Sequence, residues 1–457
     1  MEKIRIMPAA LLLAVMIAVG CGRTATVTEY VIVPEPVFAV QKEGSFALNN
    51  TPSISVVGLG QNSSTVKYVM QSLRHAHMRP RLVSTSQSSD MLLTLYDTLN
   101  PELGDEGYLL EVRSTGIVLR ANTERGLFYA YQTLVQMLPD DVTKVSYRTI
   151  ELPECTVLDR PRFGWRGVQM DAGHYAFSVR EMRKWVDLLA AYKMNRLHLV
   201  LGPDDESLGG DELDELTEYA ANRGVVVLAE SCEEVADSQA NPSYLLCKDL
   251  KEGLAQARAG YAVVMSPQEH FDLATYQANP RYQPASSEGV TTLAKVYEFD
   301  PAPMGTNSHV VANVLGGMCR MNTELIGSAR QAEYMLLPRM LAVSECLWSR
   351  PDRKDWMRFR RKVEVQKDRL DVKGYHYCEG SFTPLFTVRR IDDESVNIAI
   401  TTEVPNTYIF YTTDLGTPTR SSSIYLGPIN LKRGTHIKIL PVYNDIERDS
   451  VYEFVIK

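Results

Sequence analysis

The sequence predicts an α/β protein in three parts: a small N-terminal α/β domain, an incomplete TIM-type (β/α) barrel of about six strands, and a C-terminal β-sandwich. Three observations carry that reading. Across residues 160–378, apolar strand-like runs alternate with amphipathic helical stretches, the order of a parallel sheet. Residues 27–152 mix strand and helix patterns around a hairpin. Residues 382–457 alternate apolar and polar positions in short runs broken by Gly, Asn, Pro and Asp.

The elements follow in order. In the first part, Ser55–Gly58 and Met91–Tyr96 read as strands, Thr65–Arg74 as a helix, and Gly107–Arg113 with Gly116–Arg120 as a hairpin. Arg125–Leu138 has helical periodicity and stops before Pro139. In the middle part, strands are expected at Gly167–Asp171, Leu197–Leu201, Val225–Glu230, Tyr244–Cys247, Tyr261–Pro267 and His309–Leu315. Helices are expected at Val179–Asn195, Asp211–Arg223, Glu252–Ala259 and Ala332–Leu347. That makes six strands, two short of a closed barrel. The last part offers strands at Val396–Ile400, Tyr408–Tyr411 and Ile437–Val442.

Residues 1–21 have the layout of an export signal: Lys3 and Arg5, an apolar run from Met7 to Val19, then Ala18-Val19-Gly20-Cys21. The run is too short for a comfortable membrane span. A Cys directly after Gly20 resembles a bacterial lipoprotein box, so Cys21 is the expected lipidation site and the chain is expected to be exported and membrane-tethered. Hydrophobic residues make up 45% and charged residues 23% of the 457, enough for several ordinary cores. A net charge of −8 argues against nucleic acid, which calls for a basic face. Beyond Cys21 the cysteines are scattered without metal-ligand spacing, so no metal or cofactor is expected and buried free thiols are the default.

Arg160-Pro-Arg-Phe-Gly-Trp-Arg-Gly-Val-Gln-Met-Asp171 and Arg196-Leu-His-Leu-Val-Leu201, with the helix between them, resemble the start of the catalytic barrel of β-N-acetylhexosaminidases, glycoside hydrolase family 20. Glu106-Gly-Tyr-Leu-Leu and Gly126-Leu-Phe-Tyr-Ala-Tyr-Gln-Thr-Leu resemble the small domain that precedes that barrel, and Tyr411–Tyr425 resembles a common C-terminal module. The resemblance implies substrate-assisted hydrolysis of terminal N-acetylhexosamines, in which the sugar's acetamido oxygen attacks the anomeric carbon. It also implies an Asp that holds the acetamido group and an adjacent Glu as general acid, both at the end of the fourth strand.

Here the resemblance places Val225–Glu230 as strand three, Tyr244–Lys248 as strand six and Gly260–Pro267 as strand seven. Only Ser231–Ser243 lies between strands three and six, too little for two βα units. The catalytic strand is therefore expected to be missing. Gly209-Gly-Asp-Glu212 matches the catalytic letters, but it follows an acidic stretch, Asp204-Asp-Glu206, and opens a helix. Asp211 and Glu212 read as first-turn residues favoured by the helix dipole; their literal match keeps them as the alternative catalytic pair. Among pocket positions the resemblance retains Glu324 but with Asn322 where the family has Trp, puts His174 where the family's Asp-x-x-Arg after strand one has Arg, keeping Asp171, and puts Asp272 after strand seven, with His270 entering if the alignment slides. None of the four tryptophans, Trp165, Trp185, Trp348 and Trp356, falls at the C-terminal end of a strand. The expectation is a catalytically impaired homologue that binds amino-sugar glycans or acts as a scaffold. The alternative is an active exo-β-N-acetylhexosaminidase.

Overall fold

A computed structural model describes residues 23–84, 87–171, 174–175, 177–201, 209–231, 244–448 and 451–456. Residues 1–21 with the expected export signal and Cys21, the Asp204–Glu206 stretch and Cys232 lie outside the described residues.

The first sheet orders its strands β1-β8-β6-β7-β5-β3-β4, with β2 also on β8. The strands are β1 (Arg23–Thr26), β2 (Phe38–Asn49), β3 (Ser53–Val57), β4 (Arg81–Leu82), β5 (Met91–Leu95), β6 (Tyr108–Arg113), β7 (Gly116–Ala121) and β8 (Tyr147–Asp159). The sheet thus runs on to Asp159, past the expected end at Leu152. Helices α1 (Ser64–His75) and α2 (Glu124–Met137) start at Ser63 and Thr123, whose hydroxyls accept the N–H groups of Val66 and Gly126. Nearly all of α2 is buried, which explains why so much of its sequence is apolar.

The middle sheet has six parallel strands in the order β11-β10-β9-β16-β13-β12. These are β9 (Trp165–Asp171), β10 (Arg196–Leu201), β11 (Val226–Ser231), β12 (Leu245–Cys247), β13 (Val263–Met265) and β16 (Val314–Met321); a two-stranded ribbon, β14 (Thr275–Tyr276) and β15 (Ser287–Val290), stands apart. The first three strands run outward one way and the last three the other, meeting at the β9–β16 pair. Among the described residues β11 and β12 are edge strands, and no described strand joins them to close the sheet. Its helices include α3 (Val179–Ala191), closed at its start by a reciprocal Ser178–Glu181 capping box, and α4 (Gly210–Ala221).

Two expectations need correction. The stretch His309–Leu315 is not a strand: Ser308–Ala312 is helical, because the Asn307 side chain accepts the His309 N–H and caps it, and β16 begins at Val314. The expected helix Ala332–Leu347 is two helices, Ala329–Leu336 and Arg339–Trp348, interrupted at Pro338, which has no N–H to continue the first.

The α/β domain and the sheet are joined by a buried polar layer. Lys193 Nζ lies 2.8 Å from Asp159 Oδ2 and donates to the Tyr108 hydroxyl at 2.8 Å, while Trp348 Nε1 donates to Asp159 Oδ1 at 2.9 Å. Beside it Arg166, wholly buried, pairs with Glu106 at 2.8 Å. Burial pulls the Lys193 ammonium below its ordinary pKa, and Asp159 opposes that shift. A third buried acid, Glu345, accepts the Glu35 N–H at 2.8 Å; burial first, and the Glu35 charge second, push its carboxyl up to about 7.

The sign follows from linkage. Between about 4.5 and 7 the folded state holds the proton more tightly than the unfolded state, so this group's contribution to stability falls as pH rises through that window. Glu345→Gln is expected to leave the melting temperature near the parent's at pH 4 and to raise it at pH 8. The gain at pH 8 would be about 3 kcal/mol, and thermal melts at the two pH values measure it.

The C-terminal part holds two sheets. One is β17 (Leu385–Arg390), β18 (Ser395–Thr401) and β21 (Ile429–Lys432); the other is β19 (Tyr408–Thr412), β20 (Ser423–Ile424), β22 (His436–Tyr443), β23 (Ile446–Glu447) and β24 (Tyr452–Val455). Their inward residues, among them Val396, Ile398, Ile409, Ile437 and Ile439, share one core. The five described cysteines, Cys155, Cys247, Cys319, Cys346 and Cys378, are buried and form no disulfide.

Candidate functional site

Register builds the site. In the parallel sheet Gln169 lies beside His198 and Arg320, and His198 beside Leu228; one layer further along, Asp171 lies beside Val200, and Val200 beside Glu230. The alternate residues Val168, Met170, Leu197 and Leu199 are buried in the core that the helices cover. Gln169, His198, Asp171, Glu230 and Arg320 therefore share the other face, the inside of the would-be barrel, toward the C-terminal strand ends where barrel sites are built.

The contacts there are specific. Gln169 Nε2 lies 3.4 Å from His198 Nδ1, and His198 Nε2 lies 3.4 Å from Glu230 Oε2. If the amide donates to Nδ1, the ring proton sits on Nε2 and faces Glu230. Burial lowers the His198 pKa, and the Glu230 carboxylate opposes that shift. Asp171 Oδ2 lies 3.7 Å from His174 Nδ1, so these two expected residues meet. Thr323 Oγ1 donates to the Asp171 carbonyl and fastens the turn after β16 to the end of β9. That turn carries Glu324, which is exposed, and its N–H donates to Asn322 Oδ1 at 2.7 Å. Asp272 accepts the Ala274 N–H and lies 3.9 Å from Arg320, with a backbone bridge between the two residues. His270 turns aside, its ring 5.3 Å from Phe299.

The literal motif lies elsewhere. Asp211 and Glu212 are exposed in the first turn of α4, and the Glu212 carboxylate accepts the N–H of Gly209 at 3.2 Å. The tryptophans also stay off the rim: Trp165 begins β9, Trp185 and Trp348 are buried on helices, and Trp356 begins the helix Trp356–Val372. Among the described residues no cluster of His, Cys, Asp and Glu is arranged to hold a metal ion. The His198–Glu230 pair was not singled out from sequence. Its signal was available: His198 alternates with Arg196 and Val200, and Glu230 ends an apolar run.

The model for glycosyl hydrolase family 20, domain 2, matches residues 29–160. The model for the family's catalytic domain matches residues 163–208 and 247–351, leaving Gly209–Glu212 outside both segments. A third model, Fn3 associated, matches residues 398–455. The fold is thus that of a carbohydrate-hydrolase family, its catalytic sheet holding six parallel strands among the described residues. The chain belongs to glycosyl hydrolase family 20 and is β-hexosaminidase-like.

A β-hexosaminidase of Porphyromonas gingivalis is 21% identical over 569 aligned positions, covering 90% of this chain and 72% of that protein. The alignment is longer than the 457-residue chain, so the relative carries segments with no counterpart here. An N,N'-diacetylchitobiase of Vibrio harveyi is 37% identical over 134 residues, 29% of this chain but only 14% of that protein. The solved N-acetyl-β-hexosaminidase of Streptomyces plicatus superposes with a TM-score of 0.65 at 20% identity, covering 76% of this chain and 96% of that one.

Proposed function

We propose that the chain is an exported, lipid-anchored member of the family that binds amino-sugar glycans at the rim of its open sheet and is impaired as a hydrolase. The observation that supports this reading is the strand order, in which β11 and β12 are edge strands among the described residues, where the fourth and fifth strands of a barrel would stand. With the general acid's strand missing, nearby carboxylates are poor substitutes, because an acid must sit within hydrogen-bond reach of the leaving oxygen.

The rim residues Asp171, His174, Glu230, Asp272 and Glu324 still offer the acceptors and donors that sugar hydroxyls and an acetamido group need. Structures of the Streptomyces plicatus and Vibrio harveyi enzymes with N-acetylglucosamine support that ligand class. Export and the lipid on Cys21 rest on the leader's pattern. No described helix is long and apolar enough to cross a membrane. One observation favours the active alternative: Glu230 is a carboxylate on the inner face, partnered by His198.

Titration with N-acetylglucosamine and its β-linked disaccharide, followed by calorimetry, tests the binding. A rim without tryptophan walls is expected to give a Kd on the order of 1 mM. Asp171→Ala and Glu230→Gln are each expected to weaken it about fivefold, the loss of roughly one hydrogen bond. Heat of binding that neither substitution changes would place the sugar elsewhere, and no binding at all would end the proposal.

A further inference from the structure

The end of the α/β domain where the described chain begins carries a basic patch. Arg23 pairs with Tyr147 on β8, next to Arg148; the Arg148 carbonyl accepts the Asn50 N–H, and the Asn50 carbonyl accepts the Arg79 N–H. Arg79 and Arg81 join Arg74 around a groove of about 680 Å³ with Thr51 and Pro80. Arg23, Arg74, Arg79, Arg81 and Arg148 are all exposed, and none of the five forms an ion pair among the described residues. The chain's net charge is −8, so such a cluster stands out from the composition around it. Asp140 and Asp141 face Tyr147 alongside Arg23 and partly neutralise that side of the patch; the acidic side chains that line pockets elsewhere are absent from the groove's lining.

We propose that this patch is a membrane-docking surface that takes the anionic headgroups of phospholipids. Position argues for a lipid surface over a soluble anion, and here the inference rests on the proposed lipid at Cys21. Two residues span at most about 7 Å, so an acylated Cys21 holds Arg23 within that distance of the bilayer. The screening length is about 10 Å at 0.1 M salt, so a guanidinium within that distance of the bilayer feels headgroup charge. The lipid supplies anchorage; the patch supplies orientation, fixing which face of the α/β domain lies on the membrane.

The test uses acyl-free chain from Gly22 onward, which keeps every described residue. The protein is expected to sediment with vesicles containing phosphatidylglycerol at low salt, to ignore phosphatidylcholine vesicles, and to be released at about 0.5 M salt, where screening is nearly complete. Replacing Arg74, Arg79 and Arg81 together by glutamate is expected to weaken partitioning by at least on the order of a hundredfold, at about fivefold per charge lost. All three are exposed, and a thermal melt confirms that the variant folds. The salt release of the parent reads the same charges without any substitution.

Equal sedimentation with both vesicle types, none with either, or an unchanged triple variant would overturn the proposal. Labelling of Cys21 with radioactive palmitate in the full-length precursor tests the anchor separately. A chain that binds vesicles but takes no label would keep the patch and remove the anchor.

Discussion

Lys193→Met is expected to destabilise the folded chain by about 3–5 kcal/mol, because it leaves the fully buried Asp159 carboxylate without its cation. The neutral donors around Asp159 remain: the N–H groups of Val37 and Arg160, Trp348 Nε1 and the Tyr108 hydroxyl. They solvate the charge but do not cancel it. Asp159→Asn is expected to cost a similar amount for the converse reason, since it strands the ammonium. The double variant is expected to recover part of either loss, because a neutral pair carries no uncompensated charge. Chemical denaturation of the four proteins completes the cycle, and purely additive losses would contradict a direct charge pairing. The pair joins β8 to the segment entering β10, so this measurement also reads how strongly the α/β domain supports the sheet.

Gly316→Ala is expected to cost about 3 kcal/mol by forcing β16 away from β9. Gly316 has φ of +144°, and an added Cβ would lie 2.0 Å from the Trp165 carbonyl oxygen and 2.9 Å from its carbon. Both obstacles are backbone, and the strand pair cannot relax around them as a side chain could. Gly164 is the control: a Cβ there meets nothing within 4 Å, so Gly164→Ala is expected to change stability by less than about 0.5 kcal/mol. A tolerated Gly316→Ala would mean that the two halves of the sheet meet more loosely than the register implies.

The same glycine shows why part of the fold was hard to read. Gly316 and Gly317 interrupt β16, whereas Val310 and Val311 just before it look like a strand, so the pattern placed the strand too early. A side-chain cap from Asn307 and the tight fit at Trp165 settle the matter, and neither has a strong signature in one sequence. Where apolar residues are dense and free of glycine, as in Leu197–Leu201 and Val225–Glu230, position was legible to within a residue or so.

The site was legible in the same uneven way. Asp171, His174, Asp272 and Glu324 came from motifs and lie at or near the C-terminal strand ends. The His198–Glu230 contact comes from pairing between β10 and β11, a relation that no local motif contains. The six-strand count was readable because chain length sets a hard limit: the residues between β11 and β12 are too few for two βα units.

The proposed impairment as a hydrolase is tested most directly by turnover. Purified chain lacking its first 21 residues is incubated with a chromogenic β-N-acetylglucosaminide, beside Glu212→Gln and Glu230→Gln variants and with a melt to show that each is folded. The account predicts no turnover above the uncatalysed rate in the parent or either variant. Hydrolysis by the parent that Glu212→Gln or Glu230→Gln abolishes would contradict it and identify that glutamate as the working acid.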